Sequence, residues 1–109
     1  MAVRHANARE IVDLQPLGPA LKDAKTTAIV KSKMFEAVRL IVHAGTNIAA
    51  HQVPGPIMLH CLEGRVRLGL PESVLELAAG QCLYLEGGAR HSVVGIEDSS
   101  LLLTILFEG

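Results

Sequence analysis

From residue 26 onward, no apolar-rich run exceeds nine residues before a glycine or a charged turn ends it. Such runs fall at residues 26–30, 34–42, 57–63, 65–70, 73–77, 81–85, 91–96 and 101–107, and Val, Ile and Leu dominate them. Segments of that length and composition suit β-strands, whose pleated surface accommodates branched side chains. Gly45, Gly55, Gly64, Gly69, Gly80, Gly87, Gly88 and Gly95 lie in or beside the intervals and leave little uninterrupted length for a helix. Residues 31–44 hold several helix formers and fit helical spacing in part, but alternation at Met34, Val38, Leu40 and Val42 also fits, and we read them as a strand.

Short strands separated by turns predict an all-β fold, a small antiparallel double-sheet barrel or sandwich. At 109 residues the chain has room for one core. Residues 1–25 carry Pro16, Gly18 and Pro19 among scattered charges, which predicts an irregular N-terminal arm with one short strand at 10–14. The barrel domain is expected over residues 26–109. In its last segment both parities are apolar: Leu101, Leu103, Ile105 and Phe107 on one, Leu102 and Leu106 with Thr104 on the other. A strand wet on one side has no need of two apolar faces, so the second is expected to meet a partner subunit in a homodimer.

Several function classes find no support. Net charge is −1 and the ten Lys and Arg form no run or stripe, so no nucleic-acid partner and no attraction to anionic lipid is expected. The most apolar window, residues 101–107, is far too short for a membrane-spanning helix. No apolar stretch follows the basic opening MAVRHANARE, so a secretory signal is not expected and a cytoplasmic location is. Cys61 and Cys82 are too few for a disulfide framework and are read as buried, inert thiols, with Cys82 deep in the barrel.

Two stretches stand out. GTNIAAHQVPGPIMLHCLEG, residues 45–64, resembles the first motif of small single-domain cupins in its glycine spacing, its first histidine at His51 and its closing Leu-Glu-Gly. GQCLYLEGGARH, residues 80–91, resembles their second motif, with Gly80, Gly88 and His91 in place. The resemblance spans about residues 34–107 and implies an RmlC-like cupin jelly roll. Its metal-binding members draw two histidines and a carboxylate from the first motif and one histidine from the second. Here Val53 stands at the second histidine position and Ile57 at the carboxylate, while Glu86 replaces a proline and Gly95 an asparagine. The resemblance therefore implies a degenerate metal site, with His51 and His91 as the two remaining ligands.

Zinc sites ordinarily use four ligands, or three and a water, and oxygenase iron uses two histidines and a carboxylate. Two imidazoles imply either no cofactor or a weakly bound divalent metal: Zn, Ni, Mn or Fe. His60 has the opposite parity to Ile57, and Cys61 lies about 13 Å beyond Ile57 along an extended chain, so neither restores the set. Glu63 and Glu86 are read as turn residues facing water, Tyr84 as a strand residue with its hydroxyl at an edge, and His5 and His43 as structural or exposed. Pro54 and Pro56 hold the connector after His51 extended and stiff.

The leading expectation is a small-molecule binding or sensing protein. Its pocket would be lined by Val53, Ile57, Leu59 and Cys61, with His51 and His91 as the orienting polar groups. The alternative is a metal-dependent cupin enzyme, a dioxygenase or isomerase, using His51 and His91. A third reading is a purely structural dimerising module.

Overall fold

A computed structural model describes residues 5–107. Nine strands form two antiparallel sheets. β1 (Thr27–Lys31), β2 (Phe35–Val42), β9 (Ser99–Leu106), β4 (Ile57–Glu63) and β7 (Cys82–Leu85) lie side by side in that order in one sheet. The other sheet has the order β3 (Asn47–His51), β8 (His91–Gly95), β5 (Arg65–Leu70) and β6 (Ser73–Ala78).

Alternation decides what faces the interior. Ile57, Leu59 and Cys61 of β4, Val66 and Leu68 of β5, Val93 of β8 and Leu101 of β9 point inward and meet Val42, Leu77 and Leu85 in one core. Within β4 and within β5 the inward residues are every second one, as two layers packed face to face require. The residues between them, such as Met58 and Tyr84, end on the outside.

The chain changes sheets at Gly64, the single residue between β4 and β5. Its φ of +88° belongs to the left-handed region that glycine reaches at little steric cost. An added Cβ there would fall on the Asp98 carbonyl oxygen and the Ser99 hydroxyl, and within 2.8 Å of Ser99 Cα. Fully buried Ser99 completes the corner by accepting the Arg65 N–H through Oγ (2.9 Å).

Three expectations need revision. The strand β3 adds a ninth to the eight apolar runs, because pairing with β8 rather than any apolar pattern extends its Asn-Ile-Ala-Ala-His sequence. Among the described residues, 10–14 form no strand. The arm instead turns through a 3-10 helix at Gly18–Asp23, with a proline in its first turn and Leu21 buried beneath it. That docking relies on a cluster with no counterpart in the sequence reading. Glu63 does not face water: its side chain is 13% exposed, and its carboxylate accepts the backbone N–H groups of Leu17 (2.8 Å) and Gly18 (3.2 Å). Beside it, Arg39 donates from Nε to Ser100 Oγ (2.8 Å) and from Nη2 to the Gln15 carbonyl (2.7 Å).

Candidate functional site

His51 and His91 end up side by side. They are register partners across β3 and β8, and their ring centroids lie 4.4 Å apart with planes tilted by 54°. A register irregularity between Ile48 and His51 sets this placement. Ile48 packs against the core opposite Val93, and the irregularity lets His51 meet His91, which shares the inward parity of Val93.

The loops flanking the histidines are tied together. Gly88 donates its N–H to the Val53 carbonyl (2.8 Å), and Gly87 passes so close to the Pro54 carbonyl that a Cβ there would overlap its oxygen. The stiff Val-Pro-Gly-Pro connector and the Gly-Gly turn thus brace each other, which fixes where each histidine leaves its loop.

Each ring is also oriented by the backbone just before it. His51 Nδ1 lies 3.0 Å from the Ala49 carbonyl oxygen, and His91 Nδ1 lies 3.0 Å from that of Ala89. A carbonyl only accepts, so Nδ1 must carry the proton in both rings. In the neutral imidazole this leaves the lone pair on Nε2. Neither Nε2 has a hydrogen-bond partner among the described residues. His91 is only 4% exposed, yet no fully buried side-chain nitrogen or oxygen among the described residues lacks a partner. Its Nε2 must therefore reach an accessible surface.

The other expected pocket residues are placed differently. Ile57, Leu59 and Cys61 are buried side chains of the packed core, in contact with their apolar neighbours. Val53 packs against that core and borders an open groove of about 410 Å³ with Pro54, Gly55, Ile105, Leu106 and Phe107. Burial pushes the Cys61 thiol up, outweighing the backbone hydrogen bond to Glu63, so it remains protonated and inert at neutral pH. Cys82 is exposed, not deep in the barrel: it shares the outward parity of Tyr84 and stands opposite His60 on the outer sheet face. Glu86 is exposed. His43 has Nε2 3.2 Å from the Ala24 carbonyl oxygen and Nδ1 3.7 Å from Asp98 Oδ1, and His5 is exposed.

Two Nε2 donors fall short of the three protein ligands that zinc or non-haem iron usually takes. Among the described residues, no group of three or more His, Cys, Asp or Glu side chains is arranged to hold a metal ion. The described residues thus supply no third ligand beside the two rings.

No protein-family model matches the sequence, and no curated protein matches it significantly. Solved structures do match. A conserved protein of unknown function from Streptococcus pyogenes superposes with a TM-score of 0.77 at 19% identity, covering 100% of this chain and 99% of the other. A cupin superfamily protein from Desulfitobacterium hafniense gives 0.77 at 14% identity, covering 94% and 100%. An RmlC-like cupin from Desulfovibrio desulfuricans gives 0.69 at 21% identity, covering 96% and 97%. The architecture is therefore the RmlC-like cupin jelly roll along nearly the whole chain. Among the described residues, no helix is long and apolar enough to cross a membrane.

Proposed function

We propose that this cupin-fold chain binds a small molecule at the His51–His91 pair, on a site that has lost half of a metal ligand set. The observation that supports the reading most is the pairing of two carbonyl-oriented imidazoles whose Nε2 atoms have no protein partner. A ring held through Nδ1 that presents an accessible, unpartnered Nε2 offers a contact point for which a purely structural module has no need. Because Ile57, Leu59 and Cys61 fill the interior, a ligand would meet the pair from the side of the exposed His51.

His51 is exposed, so His51→Ala is expected to change stability by no more than about 0.5 kcal/mol. Loss of one of two orienting hydrogen bonds should weaken binding about tenfold, as one bond of roughly 1.4 kcal/mol does. A fragment screen followed by NMR on wild type and His51→Ala checks this, and hits that bind the variant with full affinity refute it. Free Nε2 lone pairs are also what a divalent ion would take, so the same untagged protein is assayed for Zn, Ni, Mn and Fe. Stoichiometric metal that His51→Ala and His91→Ala both lose would bring the metal-dependent enzyme reading forward.

The chain is further proposed to act as a homodimer through the outer face of the five-stranded sheet. Met58 and Tyr84 are 48% and 63% exposed there, and with Thr104 and Leu106 they line a mostly apolar groove. Contiguous exposed apolar surface of this kind marks an association face. Met58→Lys combined with Tyr84→Glu is expected to weaken self-association at least a hundredfold. Light scattering coupled to size-exclusion chromatography reads this, and a wild type that stays monomeric at high concentration rules the dimer out.

A further inference from the structure

We infer that the His51–His91 pair is a two-point hydrogen-bond acceptor that selects neutral, hydroxyl-bearing small molecules over carboxylates. This rests on the ligand-binding reading of the same pair and adds the chemistry of what it takes. Each Nδ1 is committed as a donor to the carbonyl two residues earlier in the chain, at 3.0 Å in both rings. A neutral ring so held offers only a lone pair at Nε2, and it does so at both histidines.

Two neighbouring acceptors, on rings whose centroids are 4.4 Å apart, call for a ligand with two donors within one small molecule. A carboxylate presents lone pairs to lone pairs and gains nothing from either ring. A cation is only partly served. A metal ion could take both lone pairs, but no carboxylate or thiol joins the two histidines in a ligating group among the described residues, so water would have to complete its shell. Hydroxyl groups on adjacent carbons carry two donors without charge, and a polyol is the simplest class that satisfies both rings. His91 contributes the better shielded acceptor because it is nearly buried, whereas His51 stands at the open side.

The test titrates xylitol and, in parallel, succinate into the full chain labelled with nitrogen-15, at pH 8.5. Long-range proton–nitrogen correlation spectra then report each imidazole nitrogen. The free protein should show protonated Nδ1 and unprotonated Nε2 in both rings. Xylitol should shift both Nε2 resonances saturably while succinate leaves them in place. His51→Phe, which keeps a ring but has no lone pair, should weaken xylitol binding at least tenfold. Protonated Nε2 in either free ring overturns the inference, and so does succinate shifting the pair where xylitol does not; the second result leaves the ligand site itself standing. Silence toward both probes overturns the polyol assignment, and silence extended to a general fragment library removes the ligand-binding reading with it.

Discussion

Gly64→Ala is expected to cost about 3–5 kcal/mol of folding stability, the sum of a left-handed backbone penalty and an overpacked contact with little room to relax. Two costs meet at this residue. Its φ is +88°, which a residue with a Cβ adopts only under strain. The new methyl would also press on the Asp98 carbonyl and the Ser99 backbone, which are held in place by the hydrogen bonds of Ser99 to Arg65 and Glu97. Gly80 supplies the control: its φ is also +88°, but nothing lies within 4 Å of an added Cβ. Gly80→Ala should therefore lose only the backbone share, about 1–2 kcal/mol. Urea denaturation followed by circular dichroism separates the two, with a shifted midpoint and an unchanged slope. Equal losses in the two variants would mean that the corner yields easily and that the close approach of residues 64 and 98–99 carries no energy. Against a typical total of about 5–15 kcal/mol, the expected loss would leave a marginally folded chain.

What the sequence revealed and what it hid divide along a physical line. Wherever a strand buries one face its alternation is visible, as at Ile57, Leu59 and Cys61 or at Val66 and Leu68, and the glycines that end those runs mark the turns. β3 carried no such signal. It lies at a sheet edge with only Ile48 directed at the core, so Asn47, Ala49 and Ala50 show no pattern. The resemblance to the cupin motifs implied the histidine pair, but not its proton arrangement, because that depends on carbonyls that only the folded backbone brings to each Nδ1. Cys82 stands outside and not deep in the barrel because it shares the parity of exposed Tyr84, which strand alternation directs outward. Glu63 was misread for a different reason. Its neighbour Gly64 marks a turn, and turn glutamates ordinarily face water, but its partners here are backbone N–H groups 46 and 45 residues earlier in the chain. One clue was available: Arg39 is a cation among the apolar residues 37–42 of its strand, and a buried guanidinium requires acceptors.

Glu63→Ala should release the N-terminal arm while leaving both sheets intact. The carboxylate receives the N–H groups of Leu17 and Gly18 and lies 3.4 Å from Arg39 Nη2. Removing it strands those donors and leaves Arg39, 9% exposed, with only the Ser100 hydroxyl and the Gln15 carbonyl as partners. Breaking a nearly buried ion pair from one side costs about 3–5 kcal/mol when the remaining charge is trapped, and the low end applies here because the freed arm lets water reach the guanidinium. Local opening predicts a specific pattern in amide hydrogen exchange. The Leu17 amide should lose at least a hundredfold of its protection, and the Ala24 amide, which bonds to the Leu21 carbonyl, should lose protection with it. Amides between β2 and β9 should stay protected. Pairing Glu63→Leu with Arg39→Met removes both charges and is expected to recover part of the loss, because an apolar pair carries no desolvation penalty. The recovery should fall short of wild type, since the Leu17 and Gly18 donors still lack an acceptor. Unchanged exchange at Leu17 in Glu63→Ala would show that the arm is held by Leu21 packing alone, and the polar cluster would then be a consequence of docking and not its cause.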